Sequence, residues 1–230
     1  LPGSDAARSG EYVVVSAHYD HIGVRFPDAT GDSIYNGADD NASGTVAVLE
    51  VAEALASLET PPARSVVFLL VSGEEYGLHG SAHFARHPTV PLSGIVANVN
   101  LDMIGRNDPG EVIGIGHAFT SLGPLADSLA ERHEALGLEM VPDPAPGENL
   151  FMRSDQPVFA CRDVPALFLH TGLHPDYHAA GDELESLDTD KVARIARLAF
   201  YLTHAVGDAP GVPTWTVAGR HAVNGIRWCP

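Results

Sequence analysis

Four short runs of almost unbroken apolar residues limit the folds open to this chain more than any other feature. They are Tyr12–Ala17 (YVVVSA), Val66–Val71 (VVFLLV), Gly94–Leu101 (GIVANVNL) and Val164–His170 (VPALFLH). A strand with one face in water alternates apolar and polar residues, whereas these runs are apolar on both faces, as in a sheet covered on both sides. Helical spacing fills the intervals. Residues 43–58 carry apolar positions three and four apart and stop near Pro61-Pro62. Leu122–Leu136 reads as an amphipathic helix, as does Thr189–Val206 with Val192, Ile195, Leu198, Ala199 and Leu202 on one face. Glu111–Gly116 is a weaker strand candidate. Strands alternating with helices predict an α/β fold of three layers, with a mainly parallel, mixed central sheet between helices. Pro142–Asp155 reads as a long polar loop, and the Gly- and Pro-rich stretch beyond Gly207, with Trp215 and Trp228, has no predicted place.

Composition narrows the function. Thirty acids against thirteen bases give a net charge of −17, and Lys191 is the only lysine. Binding to a phosphate backbone needs clustered Lys and Arg, so nucleic acid is excluded as an expected partner. No run of 18 apolar residues is present that would span a membrane. Cys161 and Cys229 match no zinc or redox spacing, and a disulfide between them is one option. The abrupt start at Leu1-Pro2 reads as a mature fragment or an excised domain, so the lack of a signal peptide carries no information about location.

Chemistry-bearing residues collect where the predicted strands end. His18 and Asp20 follow the first strand, Glu74 and Glu75 the second, and Asp102 the third. His178 follows the last strand, and Asp39-Asp40 precede the first helix in Asn36–Gly44 (NGADDNASG). In open parallel sheets the ligand crevice lies beyond the carboxyl ends of the strands, so these segments should meet on one rim. Two imidazoles with several carboxylates form a nitrogen and oxygen donor set suited to divalent zinc, and carboxylates can bridge a pair of ions about 3.5–4 Å apart. Competing readings are weaker. His79, His83 and His87 recur at helical spacing without an acid on that face, and His21, His170 and His174 are candidates for lining the pocket. The acids from Asp182 to Asp190 read as caps and solvated charge around the last helix.

The segments Ala17–Gly23 (AHYDHIG), Gly37–Gly44 (GADDNASG), Ser72–Leu78 (SGEEYGL), Asn100–Gly105 (NLDMIG) and Tyr177-His178 resemble, in order, the motifs of the M28 family of co-catalytic zinc metallopeptidases. The resemblance covers roughly residues 1–206, which it implies are one peptidase domain of zinc-exopeptidase type, with 207–230 a tail of unknown role. It implies two zinc ions bridged by Asp40 and a water or hydroxide. His18 and Asp102 would complete one site and Glu75 and His178 the other. Asp20 would orient His18, Glu74 would act as general base, and Tyr177 would donate to the oxyanion. A cis peptide after Asp40 is also implied. The substrate implied is a peptide or protein N-terminus, and the setting secreted or periplasmic. Related scaffolds support a glutaminyl-cyclase-like acyl transfer, carboxypeptidase action or a metal-binding interaction module, which stand as alternatives. Arg106 and Arg153 are the basic residues near the motifs that a carboxypeptidase would use.

Overall fold

A computed structural model describes residues 1–225. All four apolar runs are strands of one six-stranded sheet. In chain order its strands are β1 (Tyr12–His18), β4 (Ser65–Val71), β5 (Ile95–Leu101), β6 (Glu111–Ile115), β7 (Glu139–Val141) and β8 (Ala166–His170). A separate two-stranded ribbon, β2 (Gly23–Val24) with β3 (Ile34–Tyr35), lies between β1 and the first helix. The spatial order is β4-β1-β5-β8-β6-β7. β1 pairs in parallel with β4 and β5, and β5 with β8, whereas β6 runs antiparallel to β8 and carries β7 with it. The sheet is therefore mixed, with its four apolar strands parallel.

Both faces are covered, which is why those strands lack alternation. Val13, Val15 and Ala17 point to the layer formed by α1 (Gly44–Ala56), α3 (Leu122–Arg132) and α5 (Thr189–Asp208). Val14 points the other way, onto Phe84 of α2 (His79–Arg86) and Phe159 of α4 (Gln156–Ala160). Among the described residues no helix is long and apolar enough to cross a membrane.

Four sequence expectations change in detail. The helix expected over Leu122–Leu136 ends at Arg132, and a 3-10 turn over Glu134–Leu136 leads through Gly137, at positive φ, into β7. The stretch 142–155 is a polar, solvent-facing loop only over 142–149. Two 3-10 turns fold it back, burying Leu150, Phe151, Ser154 and Asp155. The region beyond Gly207 docks beside the turn that follows β6: Trp215 bridges to Thr120 and donates its indole N–H to the Asp163 carbonyl at 3.1 Å. Thr216 then caps α6 (Val217–Asn224). Trp228 and Cys229, and with Cys229 its pairing with Cys161, lie outside the described residues. Finally, Asp182 is neither a cap nor solvated; its side chain is buried at the site described next.

Candidate metal centre

The chain passes from β1 out to β4 and then returns to place β5 on the other side of β1, so the strand order reverses between β1 and β5. A crevice opens at the carboxyl ends of strands where order reverses. His18 is the last residue of β1 and Asp102 the first after β5, so these two face each other across it. Glu74 and Glu75 leave the end of β4 through Gly73, and His178 arrives on the loop after β8.

Asp40 reaches the same point on a turn whose letters can be read one at a time. Asn41 donates its side-chain amide to the Leu101 carbonyl at 3.0 Å and accepts the Gly44 N–H at 2.9 Å. The Ser43 hydroxyl donates to the Asp39 carbonyl and accepts the Ile104 N–H. Asp39 accepts the Gly105 N–H at 2.7 Å. A Cβ at Gly44 would collide with the Leu101 carbonyl, so only glycine lets the turn sit this close to the end of β5. The Asp40–Asn41 peptide is cis. Every polar side chain of the turn except Asp40 is thus committed to holding it, which leaves the Asp40 carboxylate facing the crevice.

The two oxygens of Asp40 face different partners. Oδ1 lies 3.3 Å from His18 Nε2, which is in turn 3.4 Å from Asp102 Oδ2. Oδ2 lies 3.2 Å from His178 Nε2, which is 3.0 Å from Glu75 Oε2. Two donor atoms each about 2.0–2.1 Å from a tetrahedral zinc sit about 3.3–3.4 Å apart, so these spacings suit the edges of two coordination polyhedra sharing Asp40. Glu74 gathers with His18 and Asp102 closely enough for all three to surround one ion. Among the described residues the buried His18 Nε2 and Asp102 Oδ1 have no hydrogen-bond partner, as expected where a cation completes the set.

Charge tells the same story. Burial pushes the Glu74 carboxyl up to about 9, with Asp102, Asp155 and Glu75 adding repulsion. Burial also works against Asp40 and Glu75, but contact with His178, and with His18 or His21 respectively, holds both below the usual carboxylate range. Burial lowers the His18 imidazole, yet Asp102, Asp20 and Asp40 outweigh it and leave the ring well above its ordinary value. His178, opposed in the same way by Asp40 and Glu75, stands at about 9. Without metal, protons occupy the positions that cations suit.

A stability trend follows for the chelated protein. A histidine raised above its unfolded value of about 6.5 stabilises fully below that pH, and its contribution fades as the pH climbs through the folded value. Glu74, an acid raised on folding, also costs stability as pH rises towards its folded value. Lys191, brought down to about 8 by burial, acts in the opposite sense above that point. Between pH 6.5 and 8 the chelated chain should therefore lose thermal stability steadily. Zinc affinity should rise over the same range, since binding displaces protons. A melting temperature that is flat or rising there without metal would contradict this charge arrangement.

The neighbours of the ligand set divide into expected and unexpected. Asp20 does less for His18 through its side chain than expected. His18 Nδ1 is 3.1 Å from the Asp20 carbonyl oxygen and 3.7 Å from its carboxylate, which instead accepts the Glu74 N–H at 3.3 Å. Tyr177 stacks on the His178 ring at 3.8 Å, and burial pushes its phenol up to about 12, so it stays protonated and able to donate. His21 Nδ1 lies 2.8 Å from Glu75 Oε1, on the oxygen His178 does not face. His83 and His87 stack on each other at 4.5 Å, remote in role from the crevice, and join no metal-holding group among the described residues.

Asp182 is the residue that sequence reasoning missed. Its two oxygens accept the Asp39 and Asp40 N–H groups at 3.0–3.1 Å, and its carbonyl accepts the Ala38 N–H. Its place among several nearby acids gave no local signal, because its partners lie over 140 residues earlier. Asp182→Asn should cost about 1.5–3 kcal/mol, as a buried charged acceptor is replaced by an amide that turns N–H towards N–H. It should also weaken zinc about 10–100-fold, the usual loss when a ligand's support is removed. Denaturant unfolding and a zinc titration check both, and unchanged zinc affinity would remove the positioning role.

Arg106 performs a similar service for His178. It bonds Asp176 and Ser186 at the two ends of the loop that carries that histidine. His178 itself sits at φ 56°, a left-handed conformation that costs a residue other than glycine about 1–3 kcal/mol, so the loop must be held from outside. Arg106 is thereby used up in structure, whereas Arg153 stays at the crevice edge, 3.4 Å from the Tyr177 hydroxyl.

The sequence model for peptidase family M28 matches residues 1–203. The chain belongs to peptidase family M28. Curated relatives of this M28 chain include "Leucine aminopeptidase 2" of Trichophyton equinum, 28% identical over 236 residues, covering 89% of this chain and 46% of the relative. "Aminopeptidase YwaD" of Bacillus subtilis is 36% identical over 96 residues, which are 41% of this chain and 18% of that protein. The chain thus spans about half the length, or less, of these relatives. Among solved structures, the Legionella pneumophila LapA aminopeptidase superposes with a TM-score of 0.73 at 22% identity, covering 87% of this chain and 52% of its own. A Bacteroides thetaiotaomicron glutaminyl cyclase superposes with a TM-score of 0.65 at 18% identity, covering 85% and 73%. At such identities these neighbours speak for the α/β fold alone.

Proposed function

We propose that this M28 chain is a di-zinc aminopeptidase that releases residues from peptide or protein N-termini. The observation that carries the reading is Asp40, whose two carboxylate oxygens each face a separate histidine and acid at ligand-to-ligand spacing. His18 and Asp102 would hold one ion with Asp40 Oδ1, and Glu75 and His178 the other with Oδ2. When bound, zinc lowers the pKa of water to about 7 and polarises a carbonyl. The chain's own residues do the rest. Glu74, buried beside His18 and Asp102, would take the proton from the attacking water and return it to the leaving amine. The Tyr177 hydroxyl, kept protonated, would donate to the carbonyl oxygen as negative charge builds on it. A metal held by these residues would also bind a substrate's free α-amine, and the names of the curated relatives, leucine aminopeptidase among them, support that reading.

A panel of peptides with free and acetylated N-termini, plus a peptide beginning with glutamine, tests the proposal with and without a chelator. Zinc-dependent release of the first residue from free N-termini alone is expected. Cleavage of acetylated peptides from the carboxyl end, or cyclisation of the glutamine without hydrolysis, would replace this reading with a carboxypeptidase or a cyclase.

A further inference from the structure

His170, the last residue of β8, is almost fully buried and borders the crevice beside Asp102, Glu74 and His178. Its Nδ1 lies 2.9 Å from the Asp102 backbone carbonyl oxygen. A carbonyl only accepts, so Nδ1 carries the proton, and in the neutral ring Nε2 is left with a lone pair. That Nε2 is buried and has no hydrogen-bond partner among the described residues. Met103, Leu150, Phe168 and Leu173 line the same crevice, with the charged Arg153 among them. The Phe168 ring sits 5.1 Å from the imidazole and fixes its other flank. His170 thus brings one buried, unsatisfied acceptor to the crevice that these side chains line, and a buried acceptor without a partner is costly.

We propose that His170 Nε2 accepts a hydrogen bond from the side chain of the substrate's first residue. The pocket then selects a side chain ending in a hydroxyl or amide donor over an apolar one of the same shape. An apolar isostere would cover Nε2 without pairing it, and sites built around a polar group discriminate strongly against substrates that leave it unpaired. This inference rests on the aminopeptidase reading, which brings the first residue to Glu74 and Tyr177, side chains that line the same crevice as His170. The bond from Nδ1 to the Asp102 carbonyl fixes the ring, so the acceptor's direction is set before substrate arrives.

The zinc-loaded chain is assayed on aminoacyl 4-nitroanilides in near-isosteric pairs, Leu with Asn, Val with Thr, and Phe with Tyr, with Glu and Gln alongside. The donor-bearing member should exceed its apolar partner in kcat/KM by about tenfold in at least one pair, the worth of one hydrogen bond. His170→Asn, whose Nδ2 still reaches the Asp102 carbonyl, should bring that ratio to about one. His170→Gln, which keeps an acceptor near the place of Nε2, should retain it. Zinc content measured on each variant separates a lost acceptor from a disturbed metal centre, and the ratio is independent of the fraction folded. The proposal is overturned by apolar members winning every pair, by a ratio unchanged in His170→Asn, or by Glu turned over faster than Gln, which would mean that Nε2 donates. No turnover of any member by a zinc-holding chain would instead bring down the aminopeptidase reading, and this inference with it.

Discussion

Replacing Glu74 by Gln is expected to slow hydrolysis of a free-amine peptide by about 10²–10⁴-fold, the usual contribution of a positioned general base. Zinc content should be unchanged. The amide keeps the size of the side chain, and the Glu74 backbone N–H keeps its bond to Asp20, so geometry is preserved while proton acceptance is lost. The carboxyl suits the task because burial raises it to about 9 in the metal-free chain, and two adjacent dications would draw it down towards the working range. A permanently low carboxylate would be a poor base, and one that stayed near 9 would be protonated at neutral pH. Near-normal turnover would remove the role. Loss of zinc would instead show that Glu74 is itself a ligand, which its clustering with His18 and Asp102 makes a real competing outcome.

Asp40→Asn should weaken both zinc ions together, by more than the 10–100-fold that follows loss of an outer hydrogen-bond partner. An amide has one oxygen to offer, and its NH₂ must then face either His18 or His178, the two imidazoles that Asp40 Oδ1 and Oδ2 face. The negative charge shared between the two sites is lost as well. Asp39→Asn is the control. Asp39 is equally buried, but its Oδ1 accepts the Gly105 N–H and its Oδ2 lies 3.4 Å from His174, so it holds the turn and points away from the crevice. Its substitution should lower stability more than zinc affinity. If Asp40→Asn left one ion bound as tightly as before, Asp40 would serve a single site. If Asp39→Asn were the variant that emptied both, the turn would be assigned one residue out of place.

What the sequence made legible follows from which signals are local. The apolar runs marked β1, β4, β5 and β8 because strands covered on both faces cannot hide polar residues, and strand ends then located His18, Glu74, Glu75 and Asp102. The direction of β6 was not legible. Its five residues read as a strand, but nothing within them records that the partner, β8, runs the other way. β7 and α6 were missed for a related reason, since three and eight residues carry too little periodicity to stand out. At the site, residues facing the crevice were found through their clustering along the chain. Those acting from behind were not. Asp182 holds Asp39 and Asp40 from the far side of the sequence and Arg106 braces the His178 loop, each through a contact made only on folding, whereas His170, already a candidate for lining the pocket, does border the crevice.

Native mass spectrometry of the zinc-loaded, desalted chain reads out whether a pair of metal sites shares Asp40. A dominant species carrying two zinc ions is expected, with their joint loss in Asp40→Asn. A wild-type chain that holds one zinc or none under the same conditions would contradict it.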